Sequence, residues 1–142
     1  MRILYVSTDA DIGGAERLLA LLGRHADERD VTRLVVLMSR GSLSAELDAA
    51  FDEVVYLNTP TTSRDIFKMV RGLNRNIREF HPDVVSSHLF HADLVTALSN
   101  TSAPRTTTVH THGFGPGDHP LTKVIARAVG LLSRRFAAVI PS

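Results

Sequence analysis

The chain has 142 residues and a mass of 15.5 kDa, with 44% hydrophobic and 22% charged residues, a composition that fits one soluble globular domain and excludes a disordered or fibrous chain. A net charge of +1 gives no overall electrostatic argument for nucleic acid, although 14 of the 16 basic residues are arginine and a local patch stays open. With no cysteine there are no disulfides, no thiolate nucleophile and no cysteine-ligated metal, and a reducing cytoplasm is the expected setting.

The amino terminus enters a strand at once, residues 3–6, and its apolar run is too short for an export signal. The sequence DIGGAER, residues 11–17, leads from that strand into a helix expected over 15–26. A strand at 34–38, a short helix at 44–51 and a strand at 54–57 follow. The helix expected over 64–80 places Arg64, Lys68, Arg71, Arg75 and Arg78 in one stripe, with Ile66, Val70, Leu73, Ile77 and Phe80 opposite. Pro82 pushes His81 out of the helical region, so the Pro82-Asp83 pair marks the turn into a strand at 84–85.

Residues 86–92 then form a loop into a helix over 91–99, and a strand is expected at 106–109. A breaker-rich loop, HGFGPGDHP at 112–120, leads into a helix over 120–134, on and just after which lies a second, weaker basic set, Lys123, Arg127, Arg134 and Arg135. A strand at 137–140 closes the series. No run approaches the about eighteen apolar residues of a membrane span.

Strand-length apolar runs alternating with helical patterns are the mark of parallel βα units, and continuous rather than alternating apolar strands are those covered on both faces. The fold class is α/β: a doubly wound, mostly parallel Rossmann-like sheet with helices on both faces. Such sheets bind ligands at the carboxyl ends of their strands, so the loops at 7–14, 86–92 and 110–120 share one functional rim.

Gly13-Gly14 lacks the spacing of a dinucleotide fingerprint, which excludes support for nicotinamide or flavin binding. Two readings of the pair stand: helix amino-terminal amides open to an anion such as a phosphate, or a tight turn whose glycines answer only to backbone geometry. Of the seven histidines, His88, His91, His110 and His112 fall on the rim, whereas His25 and His81 sit near helix ends as ordinary surface residues. His110 and His112 share a side of an extended strand, but no carboxylate follows in that loop before Asp118; hydrogen bonding to a sugar hydroxyl or backbone carbonyl is favoured over metal. For His88 and His91 the alternative is local capping near the helix start. The stripe of the third helix is either a solvated face or a contact for anionic lipid headgroups.

Taken together, GGAER, PDVVSSHLFHADL and TTTVHTHGFGPGDHPL resemble the amino-terminal domain of the family-4 retaining glycosyltransferases, along essentially the whole chain. The resemblance implies one half of a two-domain GT-B architecture, the acceptor-side half. It places the approach of the donor diphosphate and acceptor at Gly13 and Gly14, the histidine near the transferred sugar at His110, and Thr111 beside it, with His112 as a competitor for that role. Asp11 and Glu16 flank the glycine turn as candidates for acceptor hydroxyls, and His88 joins them as a substrate-binding candidate. A nucleotide-sugar is implied as co-substrate, with no cofactor and no metal, in glycan or cell-envelope biosynthesis.

The family's second domain, which carries the basic pair on the diphosphate and the acidic donor motif, is absent up to Ser142, so the chain alone is expected to be an inactive half that needs a carboxyl-terminal domain or partner subunit. Its expected place is the cytoplasm, with peripheral contact on the inner membrane face through Arg64, Lys68, Arg71, Arg75 and Arg78. Two other readings remain open: a free-standing Rossmann-like module that binds a nucleotide or sugar phosphate without catalysis, and an oligomeric scaffold built on a degenerate transferase half.

Overall fold

The computed structural model of the chain describes residues 1–11, 13–59, 65–109 and 138–141. Among these, the elements run β1 (Arg2–Ser7), α1 (Gly14–Arg24), β2 (Val31–Val36), α2 (Ser44–Ala50), β3 (Glu53–Tyr56), α3 (Ile66–Phe80), β4 (Val84–His88), α4 (Phe90–Leu98), β5 (Arg105–Val109) and β6 (Ala138–Pro141). Every strand pairing is parallel, and the six strands lie in the order β3-β2-β1-β4-β5-β6. The expected doubly wound, Rossmann-like sheet is therefore present.

The chain winds outward from β1 to β3, and α3 then returns it across the sheet to β4, on the other side of β1. That reversal changes the face on which the helices pack. Because neighbouring strand residues point to opposite faces, Leu4 and Val6 go to one layer and Tyr5 to the other. Tyr5, Leu34 and Val36 meet Leu19 and Ala20 of α1 and Leu47 and Ala50 of α2. Leu4, Val6, Val35 and Val85 meet Met69, Leu73, Ile77 and Phe80 of α3, and Ala92 and Val95 of α4. Two layers of helices on one sheet explain why the central strands read as unbroken apolar runs.

Several boundaries differ from the sequence reading, each for a local reason. Strand β4 extends through Ser86, Ser87 and His88, which the sequence assigns to a loop, because Ser87 finds buried hydrogen-bond partners and His88 stacks on Tyr5 with ring centroids 6.2 Å apart. Strand β2 begins at Val31 rather than 34 because its polar residues are satisfied in place. The Thr32 amide donates to Asp52 at 2.8 Å, and Arg33 is held by Glu53 at 2.6 Å and by Asn76 at 3.2 Å, with its guanidinium 5.0 Å from the centre of the Phe80 ring.

In α3 the buried line is Met69, Leu73, Asn76, Ile77 and Phe80. Ile66 and Val70, expected in the core stripe, are only partly buried and edge it. Pro82 acts as expected: His81 caps α3 in the left-handed region at φ 51°, exposed at the surface, as is His25 at the end of α1. The loop expected at 112–120, the helix at 120–134 and Arg64 lie outside the described residues.

Candidate functional site

The order reversal at β1 leaves a crevice between the carboxyl ends of β1 and β4, the place where open α/β sheets take their ligands. Two helices begin there, α1 after β1 and α4 after β4. The β1 end is fixed from both sides. Leu37 and Met38 donate to the Ser7 and Thr8 carbonyls at 2.9 and 3.0 Å, while the Ala92 amide of α4 donates to the Thr8 hydroxyl at 3.2 Å.

Gly13 caps α1 in extended backbone, with φ −163° and ψ 168°, and its carbonyl takes the Arg17 amide at 3.1 Å. Neither Gly13 nor Gly14 sits at positive φ, so the pair is not explained by a left-handed turn. A Cβ at Gly13 would meet the carboxylate end of the Glu16 side chain, which can swing aside. Around Gly14 a Cβ would meet nothing within 4 Å, and the residue is exposed. The first turn of α1 thus has one glycine covered by a carboxylate and the next open to solvent.

Glu16 is buried, and burial raises its pKa first of all. Its own backbone N–H, bonded to the carboxylate, pulls the other way, and the carboxylates of Asp9 and Asp11 push it up further. At a helix amino terminus a carboxylate is favoured by the macrodipole, which offsets part of the cost of burying Glu16. Asp11 is exposed and accepts the Ser42 amide at 3.2 Å, while its own amide donates to Asp9 at 3.3 Å.

Across the crevice, His91 in the first turn of α4 is half-buried, and burial lowers its pKa while the charge of Asp9 raises it. Asp9 thus links the two helix starts. It was not singled out in the sequence, where the only signal was its position two residues past the end of the strand at the switch point. His88 lies below the rim, 1% exposed, in stacking contact with Tyr5 and with its Nε2 3.4 Å from Ser86 Oγ. Leu89, which follows it, adopts φ 78° and ψ 154°, a region costly for any residue with a Cβ, and it caps α4 without a side-chain hydrogen bond.

Beneath the start of α4, Asp93 is 2% exposed and accepts hydrogen bonds from the hydroxyls of Ser87 on β4 and Thr107 on β5. Burial pushes its pKa up to about 6, against the pull of those two hydroxyls. This cluster ties α4 to the two strands under it. The structure therefore brings Gly13, Gly14, Asp11 and Glu16 together at one lip of the crevice and puts His88 underneath it. His110, Thr111 and His112 lie outside the described residues, just after β5.

The model of Glycosyltransferase Family 4 matches residues 12–141 of the chain. No curated protein matches it. Among solved structures, Anabaena Alr3699/HepE in complex with UDP superposes with a TM-score of 0.69 at 20% identity, over 96% of this chain and 36% of that one. The UDP-GlcNAc 2-epimerase from Neisseria meningitidis, bound to UDP-GlcNAc, gives 0.61 at 16% identity, over 93% and 38%. CalG4, the calicheamicin glycosyltransferase, gives 0.50 at 15% identity, over 94% and 42%. At these identities the likeness is one of fold, and the chain spans 36% to 42% of these relatives' lengths. A family match over nearly the whole chain, on a doubly wound sheet shared with HepE and CalG4, establishes that this chain belongs to glycosyltransferase family 4.

Proposed function

We propose that the chain is the acceptor-side half of a retaining glycosyltransferase, which transfers a sugar from a nucleotide-sugar to a sugar, lipid-linked or small-molecule acceptor. The observation that carries this reading is the crevice at the β1/β4 switch point, where the first turn of α1 presents Gly14 with open space around it in a chain of this family. HepE has been crystallised with UDP and with UDP-glucose, which supports a nucleotide-sugar as the partner of the present fold.

In this reading a second, donor-binding domain or a partner subunit faces the rim, and the chain alone is inactive. Retaining transfer needs stabilisation of an oxocarbenium-like centre and of a departing diphosphate. The half described here contributes helix amides at Gly13 and Gly14, hydrogen-bonding groups at Asp11 and Glu16, and polar support from His88. His110 is assigned the position next to the transferred sugar, with Thr111 and His112 beside it. No metal or other cofactor takes part. The reading also includes a place in glycan or cell-envelope biosynthesis in the cytoplasm, with peripheral contact at the inner membrane face through Arg64, Lys68, Arg71, Arg75 and Arg78. Among the described residues no helix is long and apolar enough to cross a membrane.

The test is a titration of the chain with nucleoside diphosphates, sugar nucleotides and candidate acceptors, followed by amide chemical shifts. Shifts clustered at Gly13, Gly14, His110 and Thr111, even at millimolar affinity, are the expected result. Silence at those amides beside tight nucleotide binding elsewhere would replace this reading with that of a binding module.

A further inference from the structure

The outward face of α3 combines two features that a solvated helix has no reason to combine. Lys68, Arg71, Arg75 and Arg78 are all exposed, opposite the buried line of Met69, Leu73, Ile77 and Phe80. On the same face stands Phe67, 79% exposed, more than any other large apolar side chain among the described residues. Phe67, Arg71, Arg75 and Arg78 step by four, four and three, which lines them up along the helix.

The arginines on this face are not neutralised within the described structure. Lys68 meets the buried Asp65 at 3.5 Å, but Arg71, Arg75 and Arg78 form no ion pair with any described acid. Glu79, the exposed acid nearest them in sequence, is turned to Arg33 at 3.7 Å. Beside the four cations runs an open groove of about 400 Å3, into which Leu57 and Gly72 also face. Since β3 ends at the carboxyl rim and α3 runs back from it, Phe67 and Lys68 mark the end of the helix on the rim side.

We propose that this face of α3 docks on an anionic phospholipid surface, with Phe67 inserted at the headgroup boundary and Arg71, Arg75 and Arg78 on the lipid phosphates. A soluble polyanion would engage the cations and leave Phe67 in water. A lipid surface uses both, because interfacial helices pair basic residues with an aromatic or aliphatic anchor. At 15 residues α3 is about 22 Å long, enough to lie across several headgroups. The inference rests on the membrane contact included in the proposed function and adds to it the Phe67 anchor, with α3 lying along the bilayer surface.

The chain contains no tryptophan, so Phe67→Trp introduces a single reporter at the predicted point of insertion. Vesicles of mixed phosphatidylglycerol and phosphatidylcholine should shift its emission to the blue, and brominated acyl chains should quench it, whereas pure phosphatidylcholine vesicles should do neither. In co-sedimentation of the unlabelled chain, Phe67→Ser should lower partitioning about tenfold. Each of Arg71→Gln, Arg75→Gln and Arg78→Gln should lower it about fivefold, and added salt should weaken it. All four positions are exposed, so circular dichroism of the variants should match that of the parent chain. The assignment is overturned if Phe67→Trp emission ignores anionic vesicles, if Phe67→Ser binds them as well as the parent does, or if inorganic polyphosphate binds through these arginines while vesicles do not. Vesicle binding is read without any sugar nucleotide, so its failure removes the membrane contact from the proposed function but leaves the transferase reading standing. Binding lost by Phe67→Ser alone overturns only a docking mode without the anchor, and a silent nucleotide titration leaves the docking result standing.

Discussion

Glu16 and Asp93 are both carboxylates buried in the first turn of a helix that starts at the crevice, and both have raised pKa values, yet they are satisfied in opposite ways. Asp93 is held by neutral donors from the sheet, Ser87 and Thr107, and is closed off from the rim. Glu16 bonds its own backbone N–H and shares a side-chain hydrogen bond with another acid, Asp9, while the charges of Asp9 and Asp11 act against its ionised form. A buried acid whose lone pairs are taken by scaffold hydroxyls works as a joint. An acid buried beside other carboxylates at an open lip has burial and like charge together against it. The contrast separates scaffold from site more clearly than burial does.

Breaking the joint should have the larger consequence. Asp93→Ala removes the shared acceptor of two buried hydroxyls, leaving Ser87 only its 3.4 Å bond to the Thr106 carbonyl, and is expected to cost about 2–4 kcal/mol in urea unfolding. The same residue sets a pH dependence. The folded chain holds the Asp93 proton up to a pH of about 6, whereas the unfolded chain releases it near 3.8, so the folded state binds more protons between those values. Stability from this group is full below 3.8 and is lost as pH rises through about 6, a fall of up to about 3 kcal/mol. Asp93→Asn should flatten that part of the stability profile, and a profile as steep as the parent's would show that another group is responsible.

Smaller effects should appear at the helix starts themselves. Leu89→Gly relieves a backbone conformation at φ 78° and should raise stability by about 1 kcal/mol, measurable as a higher midpoint in denaturant. Gly14→Ala adds a methyl group where nothing lies within 4 Å and should stabilise α1 by about 0.5–1 kcal/mol, while Gly13→Ala forces the Glu16 carboxylate aside and should gain nothing. If Gly14 is where a ligand comes close, the same Gly14→Ala chain should lose shifts in the nucleotide titration despite its greater stability. Glu16→Gln should change stability by less than about 1 kcal/mol, because relief from Asp9 and Asp11 offsets the lost macrodipole contact.

The fold was legible because its signals were redundant: six apolar strand runs, helical patterns between them and Pro82 at the α3 exit all agree with one topology. Reading failed where polar residues are buried by pairing. Ser86, Ser87 and His88 look like a loop until Asp93, one turn into the next helix, and Thr107 on β5 are seen to close over Ser87. Arg33 hides β2's start in the same way, since only the fold brings Glu53, Asn76 and Phe80 around it. At the site, the glycine pair could be found from sequence, but not what covers it. That Glu16 folds back over Gly13, and that Asp9 reaches both Glu16 and His91, depends on side-chain directions that periodicity does not encode.

The β1–α1 lip is not an independent loop. The Leu43 amide donates to Ala10 O at 2.8 Å and the Ser42 amide to Asp11, and a side chain at Gly41 would run into Ala10 O at 2.7 Å. The segment after β2 is therefore the mould in which the glycine turn is cast. Chimeras that exchange residues 8–14 with those of a relative should keep their shape only when residues 39–43 travel with them. The shape of the β1–α1 turn can accordingly be altered from Gly41, one loop away from the glycines themselves.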